Sequence, residues 1–179
     1  MPIVQVSDPS QPLYTEFQGH SRVTVDQKGR LSIPAKFRAL LSPESREGLI
    51  LMQGIEPCIY AYPIDEWARL TKLFEGQWSN LKDKYRFNRR WAMLSTLVQF
   101  DPQGRIALPG NLRDYAQIEG EAIVGGVVDH LEIWKPALFM ETVQGVEIEF
   151  GEMFGNLGGT GKAQVMTNET HQGGGSPVA

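Results

Sequence analysis

Val25-Asp26-Gln27-Lys28-Gly29-Arg30-Leu31-Ser32-Ile33-Pro34 decides the fold, because the chain repeats it as Phe100-Asp101-Pro102-Gln103-Gly104-Arg105-Ile106-Ala107-Leu108-Pro109. The second copy begins 75 residues after the first. Asp, Gly, Arg, two aliphatic residues and Pro recur at identical spacing, and Arg38 and Arg113 match four residues beyond each Pro. An internal repeat of this length takes precedence over any other fold signal.

Each copy has an alternating apolar run on either side of Asp-x-x-Gly (Val23 and Val25, then Leu31 and Ile33; Leu97 and Val98, then Ile106 and Leu108). Alternation marks half-buried strands, and the short polar interval marks a tight connection. Asp can bond the backbone two residues on, and Gly supplies a left-handed position. Pro then suits the first turn of a helix, where its missing N–H costs nothing. The pattern predicts strand, Asp-x-x-Gly-Arg turn, strand and short helix, about 35–41 and 110–116. Beyond the helices, Leu51–Ile55 corresponds to Ile123–Val127, Ile59–Pro63 to Leu131–Lys135, and Trp67 to Phe139. Each unit, at about 50 residues, is too small to bury a good core alone. The two are expected to share one core as a pseudo-dimer.

With 179 residues, 41% hydrophobic and 21% charged, the composition is that of a soluble globular protein. A single cysteine, Cys58, argues against a disulfide and for a cytoplasmic setting. No apolar run approaches the roughly eighteen residues of a membrane span, and no signal peptide is visible. The net charge of −4 hides strong patterning. Residues 19–40 carry +4, with Arg22, Lys28, Arg30, Lys36 and Arg38 against Asp26 alone, and residues 82–90 carry another +4. Two basic islands in an acidic chain matter more for binding a polyanion than the total does.

The chain divides into an N-terminal arm (1–16), a first unit (17–62), linking helices (63–91), a second unit (92–143) and an acidic, then Gly-rich tail (144–179). The arm and the tail are expected to be flexible. Pro63-Ile64-Asp65-Glu66-Trp67 opens the first linking helix, with acidic residues where the helix dipole favours them. The second, about 79–94, has Phe87, Trp91 and Leu94 on one face and Arg86, Arg89 and Arg90 beside it.

Both Asp-x-x-Gly-Arg copies, Phe17-x-Gly19, Tyr62-Pro63-x-x-Glu66-Trp67 and the Arg89-Arg90 helix together resemble the MraZ family over about 17–143. The resemblance implies an α+β, mainly β fold: a pseudo-two-fold pair of AbrB-like swapped-hairpin units forming a small β-barrel. It further implies a ring-like homo-oligomer that binds double-stranded DNA at promoter direct repeats. Its role would be transcriptional regulator, usually repressor, of the division and cell-wall gene cluster, cytoplasmic and nucleoid-associated. DNA contact in the family maps to Arg30 and Arg105. Lys28, however, faces Gln103 in the second copy, so the two arms need not bind equally.

Two readings of Arg30 and Arg105 stand side by side. Each can pair with Asp26 or Asp101 across the turn, and each can present a planar fork to phosphate or guanine. Both hold if the Asp orients the Arg. Lys28 and Arg22 flank the first turn, as solvated charges or as phosphate contacts. Arg38 and Arg113 lie one turn inside their helices, as surface or interface residues or as DNA contacts. Asp26, Asp101, Gly29 and Gly104 shape the turns. Arg86, Arg89 and Arg90 suit a subunit interface or a solvated face, and Trp67, Trp91, Trp134 and Phe139 suit core or inter-subunit packing.

No Gly-rich phosphate loop, His-Glu-x-x-His or nucleophile elbow is present, so no enzyme, small-molecule substrate or cofactor is expected. Cys58 aligns with His130, and neither has a partner at zinc-ligand spacing; His20 and His171 lie far apart. The competing class is an oligomeric scaffold whose basic loops bind acidic partners.

Overall fold

In a computed structural model of the chain, which describes residues 16–75, 78 and 80–142, both turns of the repeat close with the same bonds. Gly29 N–H donates to Asp26 O at 2.8 Å and Asp26 N–H to Arg30 O at 2.9 Å. In the second copy Gly104 donates to Asp101 O and Asp101 to Arg105 O, both at 2.8 Å. Gly29 and Gly104 stand at φ +75° and +74°, where a Cβ is costly and glycine is not.

The strands are β1 (His20–Thr24), β2 (Arg30–Ser32), β3 (Gly48–Gln53), β4 (Cys58–Pro63), β5 (Thr96–Gln99), β6 (Arg105–Ala107), β7 (Glu121–Val127) and β8 (His130–Trp134). The helices are α1 (Ala35–Arg38), α2 (Ile64–Glu75), α3 (Leu81–Met93) and α4 (Gly110–Tyr115), with a 3-10 turn at Glu44–Glu47. Residues 136–142 are helical. Most of the N-terminal arm and the tail expected over 144–179 lie outside the described residues.

Six strands form one antiparallel sheet in the order β1-β7-β8-β4-β3-β5. The copies exchange edges: β1 of the first pairs with β7 of the second, and β5 of the second pairs with β3 of the first. β2 and β6 leave the sheet and pair with each other as a two-stranded ribbon. The small closed barrel that the family resemblance implies is therefore corrected, since β1 and β5 remain edges of an open sheet among the described residues. The physical reason is that β2 and β6 are three residues long and turn their ladder bonds on one another. A single bridge, Val25 to Leu31, ties the ribbon to the end of β1.

The core lies between the ribbon, the short helices and the sheet. Leu31, Ile33 and Phe37 meet Ile106, Leu108 and Leu112 over Leu49, Leu51, Ile59, Val124, Leu131 and Ile133. Fully burying a side chain of this size contributes roughly 1.5–3 kcal/mol, and both copies supply it. The mixed α+β, mainly β architecture is the one that the family resemblance implies.

Two polar contacts that apolar patterning does not announce fix the linking helices, one to the 3-10 turn and one to each other. Ser45, fully buried, donates its hydroxyl to Asp65 Oδ1 at 2.5 Å and accepts from Ile64 N–H at 2.8 Å. It thereby takes up a free backbone donor at the start of α2. Further along, Trp67 and Trp91 stack at 4.0 Å and 6°, and Trp91 Nε1 donates to Thr71 Oγ1. Tyr62 of β4 reaches both indoles and stacks on His130 at 4.7 Å.

His130 sits between Asp129 Oδ1, 2.7 Å from Nδ1, and Glu132 Oε1, 3.6 Å from Nε2. Burial against Tyr60 and Tyr62 lowers its pKa, and the two carboxylates outweigh burial and raise it above 6.5. Protonation thus favours the folded state: the stabilisation is fully present below about pH 6.5 and is lost as pH rises through the higher folded-state value. Thermal melts across that window should fall for the native chain and lose this component in His130→Gln. Ser45→Ala should cost roughly 1–3 kcal/mol in urea denaturation, because it strands a buried N–H.

Candidate nucleic-acid interface

The ribbon register decides which side chains face out. Leu31 pairs with Ile106, Arg30 with Ala107 and Ser32 with Arg105. Side chains alternate along a strand, so Leu31 and Ile106 point together into the core, where both are buried. Arg30, Ser32, Arg105 and Ala107 then share the opposite face. Arg30 and Arg105 are diagonal neighbours on it, with Cα atoms roughly 7–8 Å apart by sheet geometry. Two residues 75 positions apart in sequence are brought to one surface by three pairs of backbone contacts.

A carboxylate clamp fixes each arginine. Asp26 Oδ1 accepts from Lys28 N–H and Arg30 N–H, both at 2.9 Å. Its Oδ2 accepts from Arg30 Nε at 2.8 Å and lies 2.7 Å from Nη2 as an ion pair. Asp101 repeats the arrangement with Gln103 N–H and Arg105 N–H at 2.9 Å, and with Arg105 Nε and Nη2 at 2.7 Å. The Arg30 side chain and backbone bonds hold the Asp26 carboxyl down at about 2. At Asp101 burial pushes upward, but the Arg105 and Gln103 bonds prevail and the pKa is lowered. Both clamps are charged at any physiological pH.

The clamp does not consume the arginines. Their side chains keep 34% and 31% of their exposure, and in each the Nη1 edge lies away from the carboxylate. The ion-pair reading therefore holds, and the Asp also sets the direction of the guanidinium. Lys28 is exposed beside the first turn.

Other basic residues are placed differently. Arg22 is exposed and pairs with Glu121 across β1 and β7 at 3.2 Å. Arg38 and Arg113 lie against the turn of the opposite copy. A Cβ at Gly29 would stand 2.8 Å from Arg113 Nη1, and one at Gly104 would stand 2.6 Å from Arg38 Cζ. Each turn glycine thus also admits an arginine from the other copy. Arg38 Nε donates to Ile33 O at 3.0 Å, and Ile33 N–H and Leu108 N–H donate to Gly104 O and Gly29 O. Arg46 joins Arg38 in a groove beside Asp101 and Gly104. Among the basic residues of α3, Arg86 lies 4.0 Å from Asp83, and Arg90 lines a groove with Phe87 and Trp91.

Among the described residues no three His, Cys, Asp or Glu side chains gather to hold a metal ion. Cys58 is buried, which pushes its thiol pKa upward, away from reactivity. No helix of the described residues is long and apolar enough to cross a membrane. Sequence reasoning missed the bond from Arg105 Nη2 to Gln103 Oε1 at 2.9 Å. The Lys28-to-Gln103 difference was its only visible signal.

Two segments, residues 17–89 and 92–153, match the family model described as MraZ protein. The chain is 38% identical to the transcriptional regulator MraZ of Desulfitobacterium hafniense (strain Y51) over 125 residues, 70% of this chain and 85% of that one. It is 41% identical to the transcriptional regulator MraZ of Thermomicrobium roseum over 120 residues, 67% of this chain and 82% of that one. A third relative of the same name, from Halothermothrix orenii, is 35% identical over 118 residues, 66% and 80% of the two chains. The matched segments each contain one Asp-x-x-Gly-Arg clamp, and the chain belongs to the MraZ family, a family of transcriptional regulators and not of enzymes.

Proposed function

We propose that this regulator binds double-stranded DNA sequence-specifically, through the ribbon face that carries Arg30 and Arg105. The observation that carries the proposal is the pair of carboxylate clamps, which leave two oriented guanidinium edges on one exposed surface. Lys28 adds a point charge for phosphate and Arg22 a more distant one. Arg38 and Arg113 support the turns from beneath, within reach of the same backbone. The two copies correspond to AbrB-like swapped-hairpin units at 17–62 and 92–143, related by a pseudo-two-fold axis and joined by linking helices over 63–91. The exchanged strand pairs support that reading.

One chain offers few cationic tips, and a few phosphate contacts bind weakly at physiological salt. A ring-like homo-oligomer would set identical tips along promoter direct repeats, raising affinity through effective concentration without new contacts. Large apolar side chains left on the surface support assembly, Ile55 at 88% and Met93 at 75% exposure among them. By family resemblance the target is the promoter of the division and cell-wall cluster, the effect is repression, and the setting is the cytoplasm and nucleoid.

The test is a salt titration of binding to duplex DNA from upstream of the protein's own gene, with random duplex as competitor. Log affinity should fall with log salt at about −0.9 per neutralised phosphate. Arg30→Ala and Arg105→Ala should each weaken binding while costing no more than about 1 kcal/mol of stability. Equal affinity for promoter and random DNA, unmoved by either substitution, would favour the scaffold reading instead.

A further inference from the structure

The two turns match in backbone and clamp but differ in one side chain, and that difference changes what each presents. An arginine carries five N–H donors. In Arg30, the clamp takes Nε–H as a hydrogen bond and holds Nη2 by charge at 2.7 Å, with no further acceptor on the guanidinium among the described residues. Arg105 is held by the same two contacts and in addition donates from Nη2 to Gln103 Oε1 at 2.9 Å. A guanidinium only donates, so the Gln103 amide must turn its oxygen toward Arg105 and its NH2 away. Arg105 and Gln103 are thereby locked side by side, with Nη1 and Nε2 as the free donors. At the corresponding site Lys28 is exposed, and its ammonium has no partner among the described residues.

We propose that the two turns divide the work, with Gln103 as the specificity-determining residue. This rests on the DNA-binding reading above. The Lys28–Arg30 turn offers a mobile, strongly hydrated point charge next to a guanidinium with spare donors. That combination grips phosphate irrespective of sequence. The Gln103–Arg105 turn offers a rigid array made only of donors. Its complement is a base edge made only of acceptors, which in the major groove is the O6 and N7 edge of guanine. Adenine presents a donor beside its acceptor, so it would face one of these N–H groups with another. Gln103 acts by adding its own donor and by preventing Arg105 from swinging toward the backbone.

The experiment is selection of the native oligomer on a randomised duplex pool, for the unaltered protein, Gln103→Ala, Gln103→Lys and Lys28→Gln. Thermal melting checks that each variant folds. The unaltered protein should enrich a repeated motif with guanine at one position per repeat. Gln103→Ala and Gln103→Lys should lower the preference at that position about tenfold, within the range of a bidentate base contact. Gln103→Lys should also steepen the salt slope by about 0.9 per engaged turn. Lys28→Gln should keep the motif, weaken binding uniformly and flatten the slope by a similar amount. Enrichment of the same motif with undiminished preference by Gln103→Ala overturns the assignment, as does a changed motif in Lys28→Gln. Enrichment of no motif by the unaltered protein overturns the DNA-binding reading as well.

Discussion

The structure depends on a carboxylate that holds a turn with one oxygen and a guanidinium with the other. Asp26 and Asp101 each accept two backbone N–H groups on Oδ1 and an arginine fork on Oδ2. The backbone bonds fix the hairpin; the fork fixes the direction of the arginine leaving it. Tying the two together means that the turn cannot form without aiming the side chain. An arginine held in this way loses less conformational entropy on meeting a ligand than a free one, which is the physical content of preorganisation. The low carboxyl pKa keeps the clamp charged throughout the range in which the protein works.

Duplication converts one clamp into a surface. A lone three-residue strand after such a turn has nothing stable to pair with. Given a second copy, β2 and β6 pair with each other, and their middle residues, Leu31 and Ile106, enter the core. The same register forces the arginines onto the outer face. Core burial and site assembly are therefore one event, and Arg38 and Arg113 reinforce it by lying across the opposite turn. This also explains why the copies exchange sheet edges and do not stand as separate domains.

Much of this was legible in the chain itself. The Asp-x-x-Gly spacing, the Pro-initiated helices and the two linking helices are local, and local chemistry specifies them. Strand partners are not local. Alternation at Leu31 and Ile33 says which side chains are buried, but not that β2 meets β6 instead of closing a barrel. Arg38 looks like a surface residue because its contact, the Gly104 turn, lies far along the chain. Ser45 and His130 gave no signal either, since a buried hydroxyl or imidazole is recognisable only once its partners are known. At the site, the arginines were evident from duplication, whereas the bond between Gln103 and Arg105 required side-chain geometry.

The central claim is that Asp26 matters to DNA through Arg30, by orienting it. A double-mutant cycle of Asp26→Asn and Arg30→Ala, read out as affinity for duplex DNA from upstream of the gene, tests it directly. Asparagine retains the Oδ1 bonds to the backbone and loses the charged grip on the fork. The account predicts weaker binding for Asp26→Asn alone, little further loss when Arg30 is already alanine, and a coupling of about 1 kcal/mol or more. Tighter binding for Asp26→Asn, as expected if removing a negative charge were all that counted, would contradict it, as would independent effects of the two substitutions.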